Sequence, residues 1–287
     1  MKYFNRFFND LPFFKSLRIT NTEKDEGVCV LLKHPSHHIF QEEIDKWLGV
    51  AYKYGVEDHY RLRLSGHVDF VLLRSTLNEL MAAYFLDNML NFELKQPYPS
   101  SGSGKYGEWL YLKENQEIFI EVKSPWERRR IGTRGYSHYN RLKDKIIEGH
   151  EHKPLRKMPF IVFITEALNI SPAFHNRELK DVLYGKVGIG LEGSENGSLK
   201  PVGGVITQKG LFQKDKRNGL SAICILRLNV FLDKIMVVDK RVTIVNKHSY
   251  HFSIYHNSLC YTECKLNPDW FRNYNQYFSH TKELDPY

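Results

Sequence analysis

Glu121 and Lys123 lie two residues apart in a segment that is otherwise mostly apolar. The run at residues 117–123 reads EIFIEVK, and its β-branched and aromatic residues indicate a strand. Successive side chains point to opposite faces of a strand. The two faces therefore carry two sets of residues: Ile118, Ile120 and Val122 on one, and Phe119, Glu121 and Lys123 on the other. Charged groups are rare on an apolar interior strand unless they are paired or bind a metal, so Glu121 and Lys123 are candidate functional residues.

A second acid, Glu108, is placed beside Glu121 by the register of a predicted hairpin. Strand-like runs at residues 107–112 and 117–123 are separated by a short polar gap, which is typical of a hairpin. If the turn is centred between residues 114 and 115, Glu108 lies directly opposite Glu121, with Cβ atoms about 5 Å apart. A one-residue bulge would instead pair Glu121 with a neighbour of Glu108.

Two carboxylates side by side repel each other, so this predicted pair needs a proton, a flanking cation or a bound metal. Hard divalent cations favour oxygen ligands. Lys123, diagonal to Glu108, would offset part of the negative charge. The alternative is that Glu108, Glu121 and Lys123 form a solvated ion network on an exposed face of the hairpin. The apolar neighbours and the short turn favour the interior site.

The net charge of +8 is concentrated in one stretch of the chain. Residues 123–157 contain eleven Lys and Arg against four Asp and Glu, a difference of +7. A positive field of this kind attracts polyanions such as nucleic acid. The alternative is a helix whose basic face is simply solvated. The residues predicted to contact nucleic acid are Arg128, Arg129, Arg130, Arg134, Arg141 and Lys145.

Apolar patterns predict the elements that position these residues. Spacings of three and four predict one helix that follows Ser36 and a second that runs from about Ser75 to Asn91 and carries Glu79. The prolines, glycines and serines of residues 96–105 predict a loop. The basic stretch contains a helix predicted to end at Gly149.

Strands and turns are expected in the C-terminal half. The apolar run at residues 159–165 (PFIVFIT) predicts a strand that is buried on both faces. Seven glycines at residues 185–204 predict loops and turns, and residues 270–277 predict a short closing helix. We expect one continuous globule, with residues 1–70 as an N-terminal helical extension and residues 71–287 as the main domain.

Length and composition limit the class of protein. The 287 residues are 42% hydrophobic and 26% charged, which indicates a folded globular protein. No stretch approaches the roughly 18 consecutive apolar residues of a membrane span, so we expect no membrane association. Four cysteines are too few for a disulfide framework and suit a reducing compartment, so we expect a cytoplasmic location.

The ordered set of acids, lysine and basic helix resembles the core of the PD-(D/E)XK nuclease superfamily. Glu121-Val122-Lys123 resembles the family's E-x-K motif, and it follows Ile118-Phe119-Ile120 and an acid one hairpin upstream. Glu79, in NELMAAYFL, resembles the glutamate that the family carries on the helix before the hairpin. The basic helix and PFIVFIT then follow in the family's order. The resemblance covers residues 75–165.

The resemblance implies an α/β, restriction-endonuclease-like fold with a mixed central sheet flanked by helices. It implies a metal-dependent nuclease in which Lys123 orients the attacking water and helps to deprotonate it. The catalytic residues that it implies are Glu79, Glu108, Glu121 and Lys123. The ligands that it implies for Mg²⁺ or Mn²⁺ are Glu79, Glu108, Glu121 and the carbonyl of Val122. The family usually has Asp, often after Pro, where this chain has Glu108 after Gly107; the longer side chain shifts the expected geometry.

The expected function is therefore that of an endonuclease that hydrolyses phosphodiester bonds in nucleic acid, with DNA as the expected substrate and a homodimer as the form that cuts both strands. One alternative is a catalytically inactive nucleic-acid-binding module on the same fold, which the substitution at Glu108 motivates. Another is an interaction protein whose aromatic N-terminus docks a partner.

Overall fold

The computed structural model describes twelve segments of the chain. They are residues 1–16, 32–33, 38–66, 68, 70–99, 106–124, 138–166, 176–193, 199–208, 210–213, 218–238 and 241–278. At some of these positions, Glu108 and Arg141 among them, only the backbone is described.

Seven α-helices are numbered among the described residues, and residues 32 and 33 also have helical backbone. In chain order they are α1 (Lys2–Phe8), α2 (Pro12–Ser16), α3 (His38–Lys53), α4 (Glu57–Arg63), α5 (Phe70–Asn88), α6 (His138–Glu151) and α7 (Asn176–Tyr184). The predicted helix after Ser36 is α3, and its apolar residues at three- and four-residue spacing are buried. The predicted helix near Ser75 is α5, which begins five residues earlier because its first turn is apolar as well. In the described residues no helix has the length and the apolar character to cross a membrane.

Seven strands form one mixed sheet, and two more form a separate hairpin. The strands are β1 (Glu93–Pro99), β2 (Tyr106–Lys113), β3 (Gln116–Lys123), β4 (Phe160–Glu166), β5 (Lys186–Gly193), β6 (Leu199–Gln208), β7 (Ala222–Val238), β8 (Arg241–His256) and β9 (Asn275–Phe278). The order in the large sheet is β1-β2-β3-β4-β7-β8-β9. The β3–β4, β4–β7 and β8–β9 pairs are parallel, and the others are antiparallel. The fold is thus α/β, with a seven-stranded mixed sheet flanked by helices.

The β2–β3 hairpin has the predicted register. Trp109 pairs with Ile120 and Lys113 with Gln116, so paired residue numbers have the predicted constant sum. The turn has two residues, Glu114 and Asn115, with φ of 49° and 66°. Two positive φ angles match the twist of a tight hairpin, and Asn tolerates this conformation well. The predicted bulge alternative therefore does not occur between residues 109 and 120.

Apolar side chains fill both faces of the sheet. We call the face on which α1 to α5 pack the first core; it contains Ile118, Ile120 and Val122 of β3. We call the opposite face, covered by α6 and α7, the second core; it contains Phe119. The predicted alternation of β3 is confirmed. Because β3 has a core on each side, any charged group near its middle is removed from solvent.

The N-terminal helices are tied to the sheet by a buried polar chain as well as by apolar packing. The indole Nε1 of Trp47, on α3, donates to the Tyr250 hydroxyl on β8 at 2.7 Å. That hydroxyl donates to Glu43 Oε2 at 2.7 Å. The hydrogen bonds satisfy a carboxylate that is only 6% exposed. The described helices α1 to α4 and the sheet therefore share the first core.

Gly149 has a different role from the predicted one. It was expected to end α6, but the helix continues to Glu151. A Cβ atom at Gly149 would lie 2.7 Å from Val162 Cγ1 and 3.5 Å from Lys123 Cγ. Glycine at this position therefore lets the helix backbone lie directly against β3 and β4. The close approach brings the end of α6 to Lys123.

Three further expectations differ from the structure. Residues 93–99 form the edge strand β1, in which two prolines are tolerated because its outer side has no partner strand among the described residues. The glycine-rich stretch forms the β5–β6 pair. The predicted closing helix is a 3₁₀ turn at Pro268–Phe271 followed by β9. In each case pairing with another strand outweighs local composition.

Candidate active site

Glu121 and Lys123 lie on the second-core face of β3. Glu121 is fully buried, and the side chain of Lys123 is 12% exposed. The Lys123 Nζ atom is 2.5 Å from Glu121 Oε1. An ionised carboxylate is tolerated in an apolar interior only when a cation or a metal compensates it. The structure therefore brings the two central residues of the predicted site together as a buried ion pair.

The second oxygen of the Glu121 carboxylate has a different environment from the first. Oε1 is close to Lys123 and also lies 3.1 Å from His152 Nδ1. Oε2 is buried and has neither a hydrogen-bond partner nor an ion-pair partner in the described part of the chain. A buried acceptor without a partner costs about 1–3 kcal/mol, and more when it is charged. Such an atom is where a ligand from outside the protein is expected.

Lys123 lies between two carboxylates. Its Nζ atom is 3.3 Å from Glu148 Oε1, on α6. Glu148 Oε2 accepts a hydrogen bond of 2.7 Å from Lys145, one turn earlier on the same helix. Burial alone would raise the pKa of Glu148, but the hydrogen bond from Lys145 and the charge of Lys123 outweigh it, and the pKa lies below its ordinary value. Glu148 is therefore held ionised and helps to fix the ammonium of Lys123.

His152 was not identified from the sequence. It follows α6 directly, and its contact with Glu121 depends on the close approach at Gly149. The contact with Glu121 raises the pKa of His152 above its ordinary value of 6.5, although burial opposes this. Nothing in the local sequence distinguishes His152 from neighbouring His150, because only the packing of α6 on the sheet decides which imidazole reaches the acid.

The pKa of His152 in the metal-free protein is expected to fall towards 6.5 when Glu121 is replaced by Gln. A neutral amide no longer favours the imidazolium form. Because the folded-state pKa is raised above its unfolded value, His152 contributes stability that is fully present below about pH 6.5 and is lost as the pH rises through the folded pKa. An NMR titration of the imidazole protons in EDTA, assigned with His152→Gln, measures both values. Equal pKa values in the two proteins would contradict the contact.

Glu79 reaches the same end of β3 from the first-core side. It lies on α5, is 8% exposed and is paired with Arg63 of α4. Burial raises the pKa of Glu79; the charge of Arg63 opposes the shift, and the charge of Glu121 adds to it. The helix is anchored next to the site, because Asn78 Nδ2 donates to the Ser124 hydroxyl at 2.7 Å. Arg63 is a second partner that sequence reasoning missed, since it belongs to a different helix.

The strand pairing gives the backbone positions of Glu108 and Val122. Glu108 lies on β2 and pairs with Tyr98 of β1, one position beyond the Trp109–Ile120 pair. The β2–β3 pairs end at Trp109–Ile120, so the position of Glu108 opposite Glu121 stays a prediction, and the Glu108 side chain is not described. The Val122 side chain is buried in the first core, on the face opposite Glu121. Metal binding by its carbonyl stays a prediction.

The predicted nucleic-acid contacts are described only in part. Lys145 lies on α6 with its side chain 17% exposed and paired with Glu148. Arg141 lies on the same helix, and its side chain is not described. Four further arginines fall outside the described residues: Arg128, Arg129, Arg130 and Arg134. Lys145 therefore belongs to the charge network of the site, and a role in phosphate binding is a prediction for all six.

A second E-x-K pair in the same sheet provides an internal comparison. Glu93 and Lys95 flank Leu94 on the edge strand β1, and Lys95 Nζ is 2.7 Å from Glu93 Oε1. Their side chains are 55% and 38% exposed, whereas those of Glu121 and Lys123 are 0% and 12% exposed. The spacing and the ion pair are alike, and burial is what distinguishes them. Burial rather than the motif marks the β3 pair as unusual.

The residues present fit a hard divalent cation in their chemistry. Both described acids of the predicted set, Glu79 and Glu121, supply carboxylate oxygens, and Glu121 Oε2 has unused acceptor capacity. Among the side chains that the structure describes, no three Asp, Glu, His or Cys groups lie close enough to share one ion. The side chain of the third predicted acid, Glu108, is not among the described side chains. The Glu121 carboxylate is buried, and the Lys123 ammonium and the His152 imidazole lie within 3.1 Å of its Oε1 atom.

Comparison with known proteins adds no family to this description: no protein-family model, curated protein or solved structure matches the chain.

Proposed function

We propose that this protein is a metal-dependent endonuclease that hydrolyses phosphodiester bonds in nucleic acid, most readily in DNA, on a restriction-endonuclease-like fold. One observation carries the proposal. Glu121 is fully buried, its Oε2 atom has no partner among the described residues, and Lys123 lies 2.5 Å from its other oxygen. Burying an unpartnered acceptor is unfavourable, which supports a ligand from outside the protein at this oxygen.

In this proposal Glu121, Glu79, Glu108 and the Val122 carbonyl would hold Mg²⁺ or Mn²⁺. The bound ion would lower the pKa of a water ligand and offset negative charge on the phosphate. Lys123 would orient the attacking water and help to deprotonate it, with its ammonium held in place by Glu148. His152 would fix the Glu121 carboxylate through Oε1. Lys145 and Arg141, on α6, would contact the nucleic-acid backbone.

A second candidate is a nucleic-acid-binding module without catalysis. The charge pairing of the acids favours it, since Lys123 is close to both Glu121 and Glu148 and Arg63 pairs with Glu79. Acids that are neutralised by protein cations have less need of a metal. This candidate predicts binding of DNA without carboxylate-dependent uptake of Mg²⁺ or Mn²⁺.

Cleavage and calorimetry separate the two candidates. Purified protein is incubated with single- and double-stranded DNA and RNA in Mg²⁺, in Mn²⁺ and in EDTA, and Mn²⁺ binding is titrated for wild type and Glu121→Gln. The nuclease proposal expects cleavage that EDTA abolishes and Mn²⁺ uptake that the substitution removes. Binding of DNA with neither effect would favour the inactive module. If no nucleic acid is bound or cut, both candidates are wrong.

The setting of the enzyme follows from the same proposal. Cys224, Cys260 and Cys264 are free thiols, which supports a reducing compartment such as the cytoplasm. A homodimer would bring two copies of the site to the two strands of a duplex.

A further inference from the structure

A cavity of about 670 Å³ opens beside the end of α6. Its walls come from residues 150–151 and 153–158, from residues 218 and 219 and from the segment that carries Tyr261. This volume is in the range of sites that bind small molecules or parts of polymers, roughly 300–1,000 Å³. The cavity is therefore large enough to hold a ligand group rather than a few waters.

The lining of the cavity is positively charged. Its described lining residues include Lys153, Arg156 and Lys157 against a single carboxylate, Glu151. Both lysine side chains are exposed at the surface. Leu155 supplies an apolar wall and is 67% exposed. Several cations beside an apolar surface suit a ligand with a phosphate group and an uncharged portion.

Lys157 is held in a way that leaves its charge available. Its Nζ atom lies 4.5 Å from the centre of the Tyr261 ring. An aromatic face attracts a cation but carries no net charge, so the contact positions the ammonium without neutralising it. Arg156 differs, because Glu117 is its ion-pair partner. Lys157 is thus placed to meet an anion that enters the cavity.

The cavity adjoins the candidate active site through the chain itself. His152, whose Nδ1 atom is 3.1 Å from Glu121, lies between two lining residues, Glu151 and Lys153. Consecutive Cα atoms are about 3.8 Å apart, so the lining begins one residue from the imidazole that touches the acid. The lining is therefore continuous with the candidate site along the chain.

We propose that this cavity binds a phosphate group of the nucleic-acid strand next to the phosphate that is attacked, with Lys153 and Lys157 as the contacts. The inference rests on the proposed function for its choice of ligand. A phosphate group can also come from a free nucleotide, and the experiment separates the two sources. The site would hold the strand in register with Glu121.

The test measures binding of a fluorescein-labelled single-stranded DNA 12-mer by anisotropy in EDTA, from low to high salt. The proteins are wild type, Lys153→Ala/Lys157→Ala and Lys15→Ala, a matched control with an exposed lysine at the end of α2. The magnitude of the slope of log affinity against log salt should fall by about 0.7 for each lost contact in the double variant and stay unchanged in the control. Tyr261→Leu should weaken binding, whereas Tyr261→Phe should retain it. Thermal melts confirm that the variants are folded.

The other outcomes of the test either overturn the inference or separate it from the nuclease proposal. An unchanged slope in the double variant, or no binding by wild type, overturns the inference. If thymidine monophosphate binds wild type but not the double variant while the slope for the 12-mer is unchanged, the cavity is a free-nucleotide site and the strand assignment is wrong. Lysine-dependent binding without cleavage in Mn²⁺ supports the inference and contradicts the nuclease. Cleavage together with an unchanged slope supports the nuclease and contradicts the inference.

Discussion

Replacing Glu121 with Gln is expected to lower the rate of metal-dependent DNA cleavage by more than about 100-fold. Groups that merely support a metal ligand cost about 10- to 100-fold when they are removed, and a direct ligand should cost more. Glutamine keeps the shape of the buried side chain but removes its negative charge, so the loss would report charge rather than packing. The measurement is the single-turnover cleavage rate in Mn²⁺, with thermal melts to show that the variant is folded.

The matched control for this substitution is Glu93→Gln. Glu93 has the same residue type, the same spacing to a lysine and a similar ion pair, but it is exposed on the edge strand β1. Removal of an exposed charge away from a functional site should leave the rate unchanged. Wild-type cleavage by Glu121→Gln, or equal losses in the two variants, would rule out a role for Glu121 as ligand.

Replacing Lys123 with Ala is expected to lower the free energy of unfolding by about 3 kcal/mol in EDTA near neutral pH. Removing one partner of a buried ion pair leaves the other charge uncompensated, which costs about 3–5 kcal/mol. The lower end applies here because His152 stays 3.1 Å from Glu121 Oε1 and can supply part of the compensation. Urea unfolding of wild type and variant provides the measurement.

Two further variants make this prediction specific. Lys95→Ala removes the exposed counterpart and should cost less than about 1 kcal/mol. Combining Glu121→Gln with Lys123→Ala should cost less than Lys123→Ala by itself, because no charge is then left in the interior. A loss in Lys123→Ala no larger than that in Lys95→Ala would mean that Glu121 is not held as a buried anion.

The sequence by itself determined the local geometry of β2 and β3. The polar gap around Glu114 and Asn115 predicted the turn, and the constant sum of paired numbers was confirmed from residue 109 to residue 120. The alternation that set Glu121 and Lys123 on one face was also confirmed. These features follow from a strand period of two and from the short closure of a hairpin, both of which are local.

Local patterns gave wrong results where long-range pairing intervened. Gly149 was expected to end a helix because glycine is common there, but its role is to let α6 contact Val162. Residues 96–99 were expected to belong to a loop, but they lie on β1 and pair with β2 at the sheet edge. In both places the deciding neighbour is distant in sequence, so composition could not reveal it.

The apolar neighbours of Glu121 predicted an interior strand, but only the tertiary structure decided how completely its carboxylate is buried. The chain has an E-x-K pair on β1 and another on β3, and nothing within the two motifs indicates which one is interior. The order of the strands decides it, because β3 has a paired strand on each side and a core on each face, whereas β1 lies at the edge. The same packing brings Glu148 and His152 to the site from the end of α6, and Arg63 from α4. Burial is a property of the assembled sheet, since it depends on contacts among segments that no local period relates.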